Sequence, residues 1–262
     1  MTTAIAISGK GGSGKTTLAA MIIRLLLHRQ NKAVLAVDAD PNSCLGLTMG
    51  VQPLGSIAEI REQARSKSPT SPGMSRVQSF EYGIQQAITE ADGFDLLTMG
   101  RPEGPDCYCA ANNLLRQFLD KLSSAYDFVV IDNEAGMEHL SRRTTNNVDF
   151  LCIVAEPTPL GAVTAKRIFD LAEQLPISVK QIGVIWNENR GLFPATSIEH
   201  QASSIELETF GCIPFDESVF NASMQGKTIF DLEENSPAFS AAQKILEHIL
   251  VPSSPRTMNN KL

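Results

Sequence analysis

"AIAISGKGGSGKTTLAAMI", residues 4–22, decides the fold. A compact apolar run leads into Gly9-Lys10-Gly11-Gly12-Ser13-Gly14-Lys15-Thr16, and apolar residues at helical spacing follow. The octet matches G-x-x-x-x-G-K-[ST] at every fixed position. It also lies where such a loop must lie, between a predicted strand at 3–8 and a predicted helix at 15–30. Glycines let successive backbone N–H groups converge on phosphate oxygens, and the helix N-terminus adds partial positive charge. Gly11, Gly12, Ser13 and Gly14 are therefore expected to cradle a nucleotide's phosphates. Lys15 is expected to bridge the β- and γ-phosphates, Thr16 to present its hydroxyl to Mg²⁺, and Thr17 to hold the α-phosphate.

Working outward, the same alternation continues. Residues 32–40, 94–100, 127–136, 149–157 and 180–188 read as strands, and 111–125, 137–147, 160–175 and 237–250 as helices. Continuous apolar strands separated by helices predict an α/β fold: a single-domain P-loop NTPase whose mostly parallel sheet of about seven or eight strands carries helices on both faces. The expected domain spans 1–250, followed by a polar, proline-broken tail at 251–262. Residues 51–93 contain "RSKSPTSPGMSR" (65–76) and read as an irregular surface insertion.

Composition excludes several classes. Hydrophobic content of 43% and charged content of 19% suit a globular chain, and the 262 residues suffice for a substantial core. A net charge of −7 argues against broad nucleic-acid binding. No apolar run approaches the ~20 residues that span a bilayer. The N-terminus lacks a signal-peptide pattern and the tail cannot form an amphipathic anchor, so a cytoplasmic protein without nucleic-acid or membrane partners is expected.

The five cysteines are Cys44, Cys107, Cys109, Cys152 and Cys212, an odd count that points away from a disulfide framework. Cys44 and Cys212 read as packed thiols and Cys152 as core. Cys107 and Cys109 form C-x-C, whose soft thiolates suit Ni²⁺, Zn²⁺, Cu⁺ or an iron–sulfur cluster. One pair fills half a coordination shell. A two-fold dimer would bring two pairs together and complete four thiolates. His139 reads as a packing or hydrogen-bonding residue rather than a ligand.

Lys10 resembles the second lysine in the deviant phosphate loop of the MinD/ParA/nitrogenase-iron-protein class. In that class the extra lysine crosses a homodimer interface to the partner's phosphates, which implies a catalytic role for Lys10 beside Lys15. The resemblance further implies that Asp40, before Pro41, orients the attacking water, while Asp38 supports the magnesium shell or the loop. Asp132 ends the apolar run of "VVIDNEAG" (129–136) and fits the outer-shell magnesium aspartate. Gly136 is placed to donate its N–H to a γ-phosphate. Asn187 in "VIWNENR" corresponds to an asparagine that reads adenine in this class, and "IPFDESV" (213–219) is similar to the second base-side loop, with Pro214 and Phe215 framing the base. The stretch Asn187-Glu188-Asn189-Arg190 lacks the aspartate of the GTPase pattern, which favours ATP.

Together "GKGGSGKTT", "DADPNSCLG", "RPEGPDCYC", "GMEHL" and "AEP" resemble the CooC-type ATPases associated with nickel insertion into carbon monoxide dehydrogenase, over roughly residues 3–250. That resemblance implies ATP/ADP and Mg²⁺ at the phosphate loop, and a homodimer that binds Ni²⁺ or Zn²⁺ across its seam. It also implies a nickel-enzyme client such as carbon monoxide dehydrogenase. Three alternatives stand beside it: an iron–sulfur carrier or reductase-type ATPase, a MinD/ParA-like positioning ATPase, and an amide-forming synthase. The last would need a glutaminase domain for which the chain has no room.

Overall fold

The computed structural model describes residues 2–29, 32–66, 76–101, 122, 124–135, 147–175, 177–189 and 207–251. Among these, eight strands form one sheet: β1 (Thr3–Gly9), β2 (Val34–Ala39), β3 (Thr89–Glu90), β4 (Phe94–Thr98), β5 (Phe128–Asn133), β6 (Asn147–Ala155), β7 (Ser178–Asn189) and β8 (Glu208–Pro214). Their spatial order is β3-β4-β2-β5-β1-β6-β7-β8, and every pairing is parallel except β3 with β4. β1 is central, with β5 on one side and β6 on the other. The chain thus turns outward in both directions from β1, and in doubly wound sheets a crevice for ligands opens beyond the strand ends at such a point.

Side-chain alternation divides the core into two layers. Ile5 and Ile7 of β1 face one layer, and Ala6 faces the other. The first layer is covered by α1 (Lys15–Leu27), α2 (Cys44–Thr48), α6 (Glu217–Met224) and α7 (Pro237–Leu250). The second is covered by α3 (Ile57–Ser66), α4 (Arg76–Ala87) and α5 (Pro159–Gln174). Both faces of the strands are buried, as their uninterrupted apolar sequences require. Proline at the first turn and a side-chain cap start two helices: Thr158 accepts from Gly161 N–H for α5, and Ser236 from Phe239 N–H for α7.

α1 is buried almost all round, because α7 and a 3-10 turn at Ile229–Asp231 pack over its outer side. Arg24 makes that packing possible. Its guanidinium donates to the Ile229 and Leu232 carbonyls and pairs with Glu234 at 3.2 Å. It also lies over the Phe239 ring, 4.8 Å from the centroid. A buried charge is tolerable here because its donors are satisfied.

Two parts of the chain differ from the sequence expectation. Residues 51–93 are not irregular where described: they hold α3, α4 and the edge strand β3, with Ile57 and Ile84 fully buried. Ser56 and Glu59 form a reciprocal cap at the start of α3, each side chain accepting the other's backbone N–H, at 2.9 and 3.3 Å. β8 and α6 were not anticipated. Within β8 stands Gly211, where a Cβ would meet the Ile245 side chain at 2.4 Å, so the glycine admits α7 against the strand. Residues 102–121, 123 and 136–146 lie outside the described part, and with them most of the expected helices at 111–125 and 137–147. Among the described residues no helix is long and apolar enough to cross a membrane.

Candidate functional site

Sheet register builds the site. Asp38 pairs with Asp132 across β2 and β5, and Ile7 of β1 pairs with Asp132. Two carboxylates from distant parts of the sequence therefore stand side by side at the strand ends, next to the loop leaving β1. That loop is shaped by left-handed glycines, Gly12 at φ +80° and Gly14 at φ +90°, a backbone form that side-chain-bearing residues avoid. Lys10, Gly11 and Gly12 are exposed, Thr16 and Thr17 half-buried, and Ser13 buried. Lys15 is 6% exposed and donates from Nζ to the Lys10 carbonyl at 3.1 Å. The loop thus holds its own lysine over the crevice. Burial pushes the Lys15 pKa down, and the charges of Asp132 and Asp40 work against that fall.

Asp38 is fully buried and accepts from Leu45 N–H at 2.9 Å and from Asp40 N–H at 3.3 Å. It therefore ties the start of α2 to the strand end. Asp40 is half-buried, and its Oδ1 accepts from the backbone and side-chain nitrogens of Asn42, both at 2.8 Å. Asp132 is fully buried, yet neither carboxylate oxygen has a partner in hydrogen-bonding geometry. Orphaned carboxylate oxygens are costly unless a cation or its water shell supplies the partner. With the Thr16 hydroxyl close enough to favour its ionised form, Asp132 suits the outer shell of a Mg²⁺ held by Thr16 and a nucleotide.

These environments have a measurable consequence. Burial pushes the Asp38 carboxyl up to about 6 and, helped by the Asp38 charge, the Asp132 carboxyl up to about 7. Both groups bind protons more tightly folded than unfolded, so their contribution to stability is complete below about pH 4 and is lost as pH rises to about 7. In EDTA without nucleotide, the melting temperature of the wild type should fall relative to Asp132→Asn between about pH 5 and pH 8. Parallel profiles would contradict this assignment.

A cavity of about 150 Å³ lies beside the loop, lined by Gly14, Thr17, Asn187, Pro214 and Phe215 among others. The three expected base-side residues therefore converge beside the helix that starts the phosphate loop's α1. Val219, in the expected base-side loop 213–219, also lines it, and sequence reasoning missed Met21, Phe220 and Ser223. Met21 was findable, being four residues beyond Thr17 on the same helix face. Asp216 shapes the loop after β8 by accepting from Ser218 N–H at 2.9 Å and from Ala238 N–H at 3.0 Å, capping α6 and bracing α7.

The other expected residues fall differently. Cys107, Cys109, Gly136 and His139 lie outside the described residues. Cys152 is core and fully buried, but Cys44 is exposed rather than packed. Its thiol pKa is raised by burial of part of the side chain and by the charges of Asp38, Asp40 and Asp132. Among the described residues no three or more His, Cys, Asp or Glu side chains are grouped to hold a metal ion.

The model of the CobQ/CobB/MinD/ParA nucleotide binding domain matches residues 4–229. The chain is 38% identical to the uncharacterized ATP-binding protein MJ0685 of Methanocaldococcus jannaschii, over 94% of this chain and 98% of that protein. It is 32% identical to the carbon monoxide dehydrogenase accessory protein CooC of Rhodospirillum rubrum, over 89% of this chain and 90% of that protein. Among solved structures, the MinC:MinD cell division protein complex of Aquifex aeolicus aligns with a TM-score of 0.70 at 20% identity, covering 98% of each chain. MinD of Pyrococcus horikoshii complexed with Mg-ADP aligns at 0.67 and 21%, covering 96% of this chain and 97% of that one. With its complete phosphate loop and paired strand-end aspartates, this chain belongs to the CobQ/CobB/MinD/ParA nucleotide binding domain family and is a P-loop ATPase of that class.

Proposed function

We propose that the chain is a metallochaperone ATPase whose two copies close on ATP and hold one soft metal ion, Ni²⁺ or Zn²⁺, between their Cys107 and Cys109 thiolates. The observation that carries this is the C-x-C itself. It stands in a chain whose relatives include a carbon monoxide dehydrogenase accessory protein, and whose phosphate loop bears a second, exposed lysine, Lys10. Two triphosphates facing each other across a seam repel unless cations accompany them, and Lys10 supplies one from each copy.

In this reading, Lys15 leaves the Lys10 carbonyl for the β- and γ-phosphates. Thr16, with Asp132 behind it, would hold a Mg²⁺ that would supply charge neutralisation at the phosphates. Asp40 orients the attacking water, and hydrolysis loosens the seam. Coupling follows if the closed dimer binds the metal more tightly than the open one. The client would be a nickel enzyme such as carbon monoxide dehydrogenase. Soft thiolates accept both Ni²⁺ and Zn²⁺, so the ion is set by supply and geometry. The rival reading, a MinD/ParA-like positioning ATPase, draws on the likeness to MinD structures. It gives the cysteines no task.

Metal analysis of purified wild type and Cys107→Ala/Cys109→Ala separates the two. The expected result is about one metal ion per two chains, lost in the double variant. A variant that retains metal as the wild type does would refute the chaperone reading.

A further inference from the structure

Asn133 follows Asp132 at the end of β5 and is 1% exposed. Strand alternation sends the two side chains to opposite faces of the sheet. Asp132 stands opposite Ile7, whose side chain faces the layer covered by α1. Asn133 stands opposite Ala39, in the layer covered by α3, α4 and α5. From that face its Nδ2 donates to the Ile7 carbonyl at 3.0 Å. The bond ties the end of β5 to β1 two residues before Gly9, where the phosphate loop begins. Two residues beyond Asn133 the chain reaches that loop, where a Cβ on Gly11 would lie 3.9 Å from the Ala135 Cβ.

This bond carries a cost. Asn133 Oδ1 is buried and has no hydrogen-bond partner among the described residues. Turning the amide over would set Oδ1 against the Ile7 oxygen, acceptor against acceptor, so the orphan comes with the bond. A buried acceptor without a donor destabilises a fold, and an apolar side chain of similar volume would avoid that loss. A residue that serves stability poorly thus stands at the strand end nearest the phosphate loop, and such exceptions concentrate where function requires them.

We propose that Asn133 is a positioning residue. Its bond to the Ile7 carbonyl fixes the end of β5 against β1, and so holds the Asp132 carboxylate in place relative to the phosphate loop and Thr16. Asn133 acts through Asp132, from the far face of the sheet. This role rests on the reading of Asp132 as the outer-shell aspartate of a Mg²⁺ site.

The test measures ADP affinity by calorimetry in excess Mg²⁺ and in EDTA, for wild type, Asn133→Leu, Asp132→Asn and the double variant. The ratio of the two affinities isolates what Mg²⁺ adds. Asn133→Leu should lower that ratio about tenfold, the low end for residues that orient metal ligands. Without nucleotide it should melt no lower than the wild type, because the orphaned acceptor goes with the bond. Asp132→Asn should lower the ratio at least as far, and the double variant no further, since the two residues act in series. Asn133→Ala repeats the comparison without the bulk of leucine. An unchanged ratio in both Asn133 variants, beside a lowered one in Asp132→Asn, would overturn the positioning role. So would a further tenfold loss in the double variant, which would place the action of Asn133 elsewhere. A full ratio in Asp132→Asn is a different failure: it would remove Asp132 from the metal's shell, and the role of Asn133 with it.

Discussion

Lys15→Ala lowers ATP hydrolysis by about a thousandfold, the scale seen when a preorganised donor to developing negative charge is removed. The structure explains why the loss is large. Lys15 is almost fully buried, and it is held over the crevice by a bond to the Lys10 carbonyl. Asp38 and Asp132 are buried beside each other at the adjoining strand ends, and the charges of Asp40 and Asp132 both reach Lys15. Without the ammonium, an incoming triphosphate meets these carboxylates with Mg²⁺ alone to offset them. Phosphate release under single-turnover conditions reads the effect on the chemical step. A rate within a few-fold of wild type would mean that the loop does not serve the reaction assigned to it.

Trp186→Ala lowers stability by about 3–5 kcal/mol, the range for removing a large aromatic side chain from a core. For a chain of this size that is about 10 °C in melting temperature. Trp186 is fully buried in the layer covered by α3, α4 and α5. Its Nε1 donates to the Thr209 hydroxyl at 3.4 Å, linking β7 to β8. It also directly precedes the second β7–β8 register shift, between Trp186 and Asn189, so collapse around the cavity would disturb the approach of Asn187. Because the chain has one tryptophan, circular dichroism rather than intrinsic tryptophan fluorescence must follow unfolding. A loss below about 1 kcal/mol would show that the site repacks freely.

How much of this was legible in sequence depends on whether a signal is local. The strand–loop–helix of 4–22 is local: apolar run, glycines and helical spacing each report on adjacent residues, and the structure follows them. Asp38 and Asp132 were legible because a carboxylate closing an otherwise apolar strand is conspicuous. That they stand side by side was not, since their pairing depends on β5 inserting between β1 and β2. α3 and α4 were hidden by sparse apolar positions around a Ser/Pro-rich stretch, although Ser56 and Glu59 at cap spacing were a readable sign. Gly211 broke the pattern of β8 for a reason visible only with α7 in place. Asn187 was picked out as a base reader. Its bond to Ser13 depends on a bulge and a left-handed Glu188, which no periodicity encodes.

The central claim is that nucleotide and metal share one seam between two copies of this chain. Sedimentation equilibrium with parallel nickel analysis, in Mg-ATP and excess Ni²⁺, tests it most directly. The account predicts a two-chain species carrying about one nickel ion, which is lost in Cys107→Ala/Cys109→Ala. A single chain that holds nickel by itself, or a dimer whose nickel content is the same in the double variant, would contradict it.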